Sequence, residues 1–158
     1  MDNAKIIDES QVFLGVCALD KAQAMSYVAK KAFDLGIATS IPGLLEDLFN
    51  RENQMSTGLA GGFAIPHAKS SFVTRPAVVY VSLDASIAWS SFDGSSLEVD
   101  RLFALLVPSA EAGTTHLELL SRLAVCLIDE AFCEKLRQLD DACELAAFLQ
   151  ASIDAAKD

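Results

Sequence analysis

The chain has 158 residues, 52% of them hydrophobic, and a net charge of −10 from 22 acidic against 12 basic residues. That length and apolar content suffice for a buried core, and without a Pro/Ser-rich linker or charge block the span 1–158 is expected to form a single domain. The acidic balance repels a phosphate backbone and leaves no basic stripe for nucleic acid; no apolar run reaches the ~18 residues that a bilayer crossing needs, and Met1-Asp2-Asn3-Ala4-Lys5 lacks the regions of a secretion signal, so a cytoplasmic protein without direct membrane insertion is expected.

Residues 12–17 read as a strand. A helix is expected over 21–35, with Asp20 as N-cap, Gln23 completing a capping box, Gly36 as the stop, and Ala24, Val28, Ala32 and Leu35 as its apolar face. A second helix starts at Pro42 after Ser40 and runs through Leu44, Leu45, Leu48 and Phe49, so that its end delivers Arg51 to the loop that follows. Strands are expected at 63–65, 77–83 and 101–107, the last two dense enough in Val, Leu and Phe to be buried on both faces. Helices follow near 115–128, 130–138 and 141–153. The mixture predicts an α/β architecture, a central sheet covered by helices. Cys17, Cys126, Cys133 and Cys143 show neither C-x-x-C spacing nor a partnering histidine cluster; each lies among apolar residues and reads as a buried thiol.

The densest chemistry lies between Arg51 and His67, one of only two histidines. Gly58, Gly61 and Gly62 let the backbone come close to a bulky anion, Thr57 offers a hydroxyl, Arg51 a planar cation, and His67 a nucleophile that titrates near neutrality. The set points to phosphoryl handling. For Arg51 a helix-end cation, and for Thr57 an ordinary turn hydroxyl, are the plain alternatives; Glu52, Ser56 and Lys69 read as a solvated face. The second histidine, His116, falls in the first turn of a helix with Thr115 as expected N-cap and Glu118 completing a box, where the helix terminus disfavours imidazolium and favours a bound anion. Catalytic zinc usually takes three protein ligands and nothing singles out a third beside the two histidines, so neither metal nor cofactor is expected.

The order of these residues resembles the fructose/mannitol-type enzyme IIA components of the bacterial phosphotransferase system (PTS), nitrogen-regulatory IIA paralogues included. In that family an R-E pair precedes an S-T-G loop ending in A-I-P-H, which stand here as Arg51-Glu52, Ser56-Thr57-Gly58 and Ala64-Ile65-Pro66-His67. The likeness continues through Trp89, Asp93-Gly94, the run 102–108 and His116-Leu117, from about residue 5 to 150. Ala60 stands where the family usually has glycine, and Gly61 where it has a polar residue. The resemblance implies a mixed sheet with helices on both sides. It further implies that His67 takes a phosphoryl group from the phosphohistidine of HPr through Nε2, beside His116, and passes it to a cysteine of enzyme IIB in a membrane sugar permease. Arg51, Thr57 and His116 would share the developing charge, and no cysteine here sits in a suitable phosphate-binding loop, so the acceptor belongs to another chain. Trp89 followed by Phe92-Asp93-Gly94 resembles the fructose branch; the run 102–108 resembles equally the regulatory proteins, whose phosphorylation state governs binding to partners. A two-histidine hydrolase would instead turn over a phosphoester without HPr.

Overall fold

The computed structural model describes residues 5–111 and 114–156, the side chains of 114–116 excepted. Strand β1 (Val12–Val16) leads to helices α1 (Lys21–Asp34) and α2 (Ile41–Gln54). Three short strands follow, β2 (Gly58–Leu59), β3 (Phe63–Ala64) and β4 (His67–Ser70), then a long hairpin of β5 (Ala77–Ser90) and β6 (Ser96–Pro108). Helices α3 (Thr114–Leu127), α4 (Glu130–Gln138) and α5 (Ala142–Ala155) close the chain. The sheet runs β1-β5-β6-β3-β2, and β4 pairs with β6 further along the same edge as β3. β1 is parallel to β5, β6 antiparallel to β5, and β3 and β4 parallel to β6, so the sheet is mixed.

Side-chain alternation along the two central strands builds two cores. Val79, Val81, Leu102, Ala104 and Leu106 pack on one face with Met25 and Val28 of α1 and Leu44 and Leu48 of α2. Val78, Tyr80, Phe103, Leu105 and Val107 pack on the other with Leu123 of α3, Leu136 of α4 and Leu149 of α5. Fully burying each such aliphatic or aromatic side chain stabilises by roughly 1.5–3 kcal/mol. The fold is therefore the expected α/β domain with helices on both faces. Among the described residues no helix is long and apolar enough to cross a membrane.

The helix ends follow short-range chemistry. Asp20 accepts from the Gln23 N–H at 2.9 Å, and Ser40 from the Gly43 N–H at 3.0 Å with Pro42 in the first turn. Gln23 does not close the expected box on Asp20; its side-chain oxygen takes the N–H of Leu19, one residue earlier, at 2.9 Å. Helix α3 begins at Thr114, which places Thr115 inside the first turn rather than ahead of it, and Glu118 forms an ion pair with Arg122 one turn on, at 2.7 Å.

Two expectations about strands need correction. The hairpin extends well past 77–83 and 101–107, because its outer half alternates exposed positions such as Ala88 and Glu98 with the buried Ile87, Trp89 and Val99, a one-sided pattern rather than a dense apolar run. The expected strand 63–65 is shorter and is followed by a second piece, β4, because Pro66 has no N–H to give the ladder; its carbonyl still accepts from Leu105 N–H at 3.0 Å.

The cysteines also depart from expectation. Cys126 is buried and Cys133 partly so, but Cys17 and Cys143 are exposed. Cys17 lies just beyond the end of β1 and Cys143 in the first turn of α5, both at element ends where apolar neighbours in sequence do not become neighbours in space. Burial pushes the Cys126 thiol up, with Asp129 adding to it. In the native protein a thiol-alkylating reagent should modify Cys17 and Cys143 quickly and Cys126 only after unfolding. Equal rates at all four sites would contradict this packing.

Candidate functional site

The loop between α2 and β4 is held by close contacts that dictate its composition. Gly58 passes so near the hairpin that a Cβ there would lie 2.6 Å from the Ser90 carbonyl oxygen. Gly62, at φ +93°, turns the chain into β3, and a Cβ on it would meet Arg137 Nη2 at 2.7 Å. Arg137, near the end of α4, grips this turn: it donates to the Gly61 carbonyl at 2.5 Å, pairs with Asp100 at 3.1 Å, and lies 4.9 Å from the centre of the Phe63 ring. Gly61 also needs its positive φ, whereas Ala60 does not, so alanine at that position carries no backbone strain.

His67 opens β4 opposite Leu105 of β6. Its neighbour Ala68 packs into the α1/α2 core, so strand alternation turns the imidazole toward the face that carries α3, α4 and α5. The side chain is 4% exposed. Nδ1 lies 2.7 Å from the Ile65 carbonyl oxygen, an atom that can only accept, so Nδ1 carries the ring hydrogen and Nε2 the lone pair. Burial lowers the His67 pKa from its ordinary value; the Ile65 bond opposes this, Arg51 and Lys69 push further down, and Glu52 pushes up. The ring is thus held neutral near pH 7.

The other expected site residues take different positions. Arg51, in the last turn of α2, donates through Nη1 to the Met55 carbonyl at 3.2 Å and so closes its own helix end, leaving four of the ~5 guanidinium hydrogens for other acceptors. Thr57 is buried, and both its hydrogens go to Glu52: Oγ1–H to Oε1 at 2.7 Å and N–H to Oε2 at 2.8 Å. It therefore has no hydrogen left to give an anion in this arrangement, and both bonds tie the loop to α2. His116 is the third residue of α3, on the sheet face toward which His67 turns; its side chain lies outside the described residues.

Glu52 overturns the solvated reading. It is 3% exposed, and besides Thr57 it accepts from Trp89 Nε1 at 3.0 Å. Lys21 Nζ lies 3.8 Å from Oε2 and 5.5 Å from the centre of the Trp89 ring. The sequence carried a signal for this: Leu44, Leu48 and Glu52 recur every four residues, which puts Glu52 on the buried face of α2. Lys69 is exposed and Ser56 half-buried. Among the described residues no group of three His, Cys, Asp or Glu stands close enough to hold a metal.

The structure thus combines a mixed sheet sandwiched by helices with a neutral histidine buried at the end of a glycine-bearing loop. The chain belongs to the family described as "Phosphoenolpyruvate-dependent sugar phosphotransferase system, EIIA 2", whose model matches residues 5–152. It is 40% identical to a nitrogen regulatory protein of Klebsiella oxytoca over 119 residues, 74% of this chain and 70% of that one. It is 30% identical over 129 residues to the Escherichia coli PTS system 2-O-alpha-mannosyl-D-glycerate-specific EIIABC component, a match covering 82% of this chain but spanning only 20% of that protein. The crystal structure of nitrogen regulatory protein IIA-Ntr from Neisseria meningitidis superposes with a TM-score of 0.81 at 29% identity, covering 91% of this chain and 96% of that one.

The depressed His67 pKa has a consequence for stability. The folded state takes up the imidazole proton at lower pH than the unfolded chain does, so this contribution is whole above about pH 6.5 and is lost as pH falls from there through the lower folded value. Asp8 and Asp93, also lowered, lose their contributions only below their ordinary carboxylate value of 3.8. Thermal midpoints should therefore fall between about pH 7 and about pH 5, and His67→Gln should flatten that fall. A His67→Gln profile as steep as that of the unaltered protein would refute the buried neutral imidazole.

Proposed function

We propose that the protein is a phosphocarrier, in which His67 takes a phosphoryl group from the phosphohistidine of HPr and passes it to a cysteine of an enzyme IIB component during sugar uptake in the cytoplasm. The observation that carries this reading is the Nδ1–H bond to Ile65, which leaves the Nε2 lone pair as the nucleophile. As the Nε2–P bond forms, the P–N bond of the donor breaks and the donor imidazole leaves with its electron pair. The ring of His67 becomes cationic, and the Ile65 carbonyl, already against Nδ1–H, steadies that charge while the phosphoryl oxygens carry the opposite one. The second transfer reverses the roles, with the IIB thiolate as nucleophile and His67 as leaving group. Transfer of this kind asks of the protein mainly in-line positioning and charge dispersal.

Arg51 supplies charge at the edge of the loop, and Thr57 braces the loop. His116, in the first helical turn on the same side of the sheet, serves as a neighbour of the phosphoryl oxygens and not as the nucleophile. The matched span 5–152 supports treating 1–158 as one IIA unit. A second reading uses the same chemistry for regulation, with the phosphorylation state of His67 controlling binding to partner proteins. The higher identity to the Klebsiella nitrogen regulatory protein, 40% against 30% for the sugar-specific component, favours it. Addition of a sugar-specific enzyme IIB separates the two, since a transport carrier gives up its phosphoryl group to it and a regulator retains it.

Incubation with phosphoenolpyruvate, enzyme I and HPr, followed by mass spectrometry at alkaline pH, should add one phosphoryl group to the protein and none to folded His67→Ala. Comparable labelling of that variant would refute the assignment. His116→Ala should still be labelled at His67, but about ten-fold or more slowly in rapid-quench measurements, equivalent to about 1.4 kcal/mol of transition-state stabilisation. Unchanged rates in both transfers would remove His116 from the site.

A further inference from the structure

We propose that Glu52 is a positioning residue for His67, acting through a continuous hydrogen-bonded relay that runs along the loop; the inference rests on His67 being the phosphoryl acceptor. The relay begins at the buried carboxylate, which takes the hydroxyl of Thr57 on Oε1 and the Thr57 N–H on Oε2. The Thr57 carbonyl in turn accepts from the Ile65 N–H at 3.2 Å. The Ile65 carbonyl then accepts from Nδ1 of His67 at 2.7 Å. Each end of Thr57 and each end of Ile65 is thus committed, and the nucleophile stands at the end of the series. The same carboxylate fastens the loop to the rest of the fold: Trp89 Nε1–H of β5 donates to Oε2, and Lys21 of α1 sets its ammonium 3.8 Å from that oxygen. One side chain of α2 therefore ties together α1, β5 and the loop that aims His67.

The chemistry of the donors explains why an acid occupies the position. Two of the three hydrogen-bond donors, the Thr57 N–H and the Trp89 Nε1–H, have no acceptor capacity and converge on one oxygen; the third, the Thr57 hydroxyl, can reverse its direction. A carboxylate accepts all three. A glutamine can satisfy the same set, with its oxygen at the Oε2 position and its amide donating to Thr57 Oγ1. Alanine satisfies none, and leaves the two buried N–H groups without their acceptor. A misaimed nucleophile costs rate more than it costs binding of the donor protein, because Glu52 is buried and its replacement leaves the protein's surface as it is.

The test is single-turnover transfer from phospho-HPr together with 15N NMR of the His67 ring in Glu52→Ala, Glu52→Gln and Thr57→Val. Glu52→Ala should slow transfer at saturating phospho-HPr by about ten-fold or more, keep the half-saturating concentration within about two-fold, and mix the ring tautomers. Glu52→Gln should restore the rate to within about three-fold of the unaltered protein and keep the Nδ1–H tautomer. Thr57→Val, which deletes the hydroxyl bond alone, should slow transfer by about three-fold, and it decides the matter if Glu52→Ala does not fold. Unchanged rate and tautomer in Glu52→Ala or Thr57→Val, or a loss confined to half-saturation, would overturn the proposal. If the unaltered protein accepts nothing from phospho-HPr, the phosphocarrier reading fails, and the ring tautomers of the variants still decide whether Glu52 positions His67.

Discussion

The bond from His67 Nδ1–H to the Ile65 carbonyl is the interaction on which the proposed phosphoryl transfer depends. An imidazole has two nitrogens of similar basicity, and a free ring exchanges its hydrogen between them. A backbone carbonyl two residues upstream removes that ambiguity, because it accepts and never donates. Pro66 stands between β3 and β4, the two stretches that pair with β6, and the Ile65 carbonyl before it lies against the ring. Burial then keeps the ring uncharged, and a neutral imidazole with a fixed lone pair is a nucleophile at neutral pH.

Holding that arrangement is a matter of where the loop is attached. From one side Glu52 of α2 takes the hydrogens of Thr57; from the other, Arg137 of α4 takes the carbonyl of Gly61 and stacks on Phe63. The two attachments come from helices on opposite faces of the sheet, so each hydrophobic core contributes one anchor. The glycines follow from this geometry. Gly58 and Gly62 stand where another atom occupies the space of a side chain, which gives the loop a composition set by packing as much as by any ligand.

Much of the scaffold was legible because it is written in short-range rules. Asp20 and Ser40 announce helix starts through their own side-chain oxygens, and the apolar runs in β5 and β6 declare a sheet covered on both faces. What escaped was set at long range. The outer hairpin has only one buried face and reads as polar along the chain; Cys17 and Cys143 sit among apolar residues in sequence yet at exposed element ends. Glu52 looked like a surface charge beside Arg51. Its helical phase with Leu44 and Leu48 marked it as buried, but the partners that make burial tolerable, Trp89 and Lys21, are 37 and 31 residues away in sequence. His67 itself stood out through its loop, while the carbonyl that selects its tautomer belongs to the backbone and leaves no trace in residue type.

In the proposed transfer Nε2 of His67, and that nitrogen alone, accepts the phosphoryl group. 15N-histidine labelling with phosphorus-coupled NMR, after phosphorylation by phosphoenolpyruvate, enzyme I and HPr, reads this directly. A single phosphorylated ring is expected, at Nε2 of His67, with Nδ1 still carrying its hydrogen. Phosphorus on Nδ1, or on His116, would contradict it.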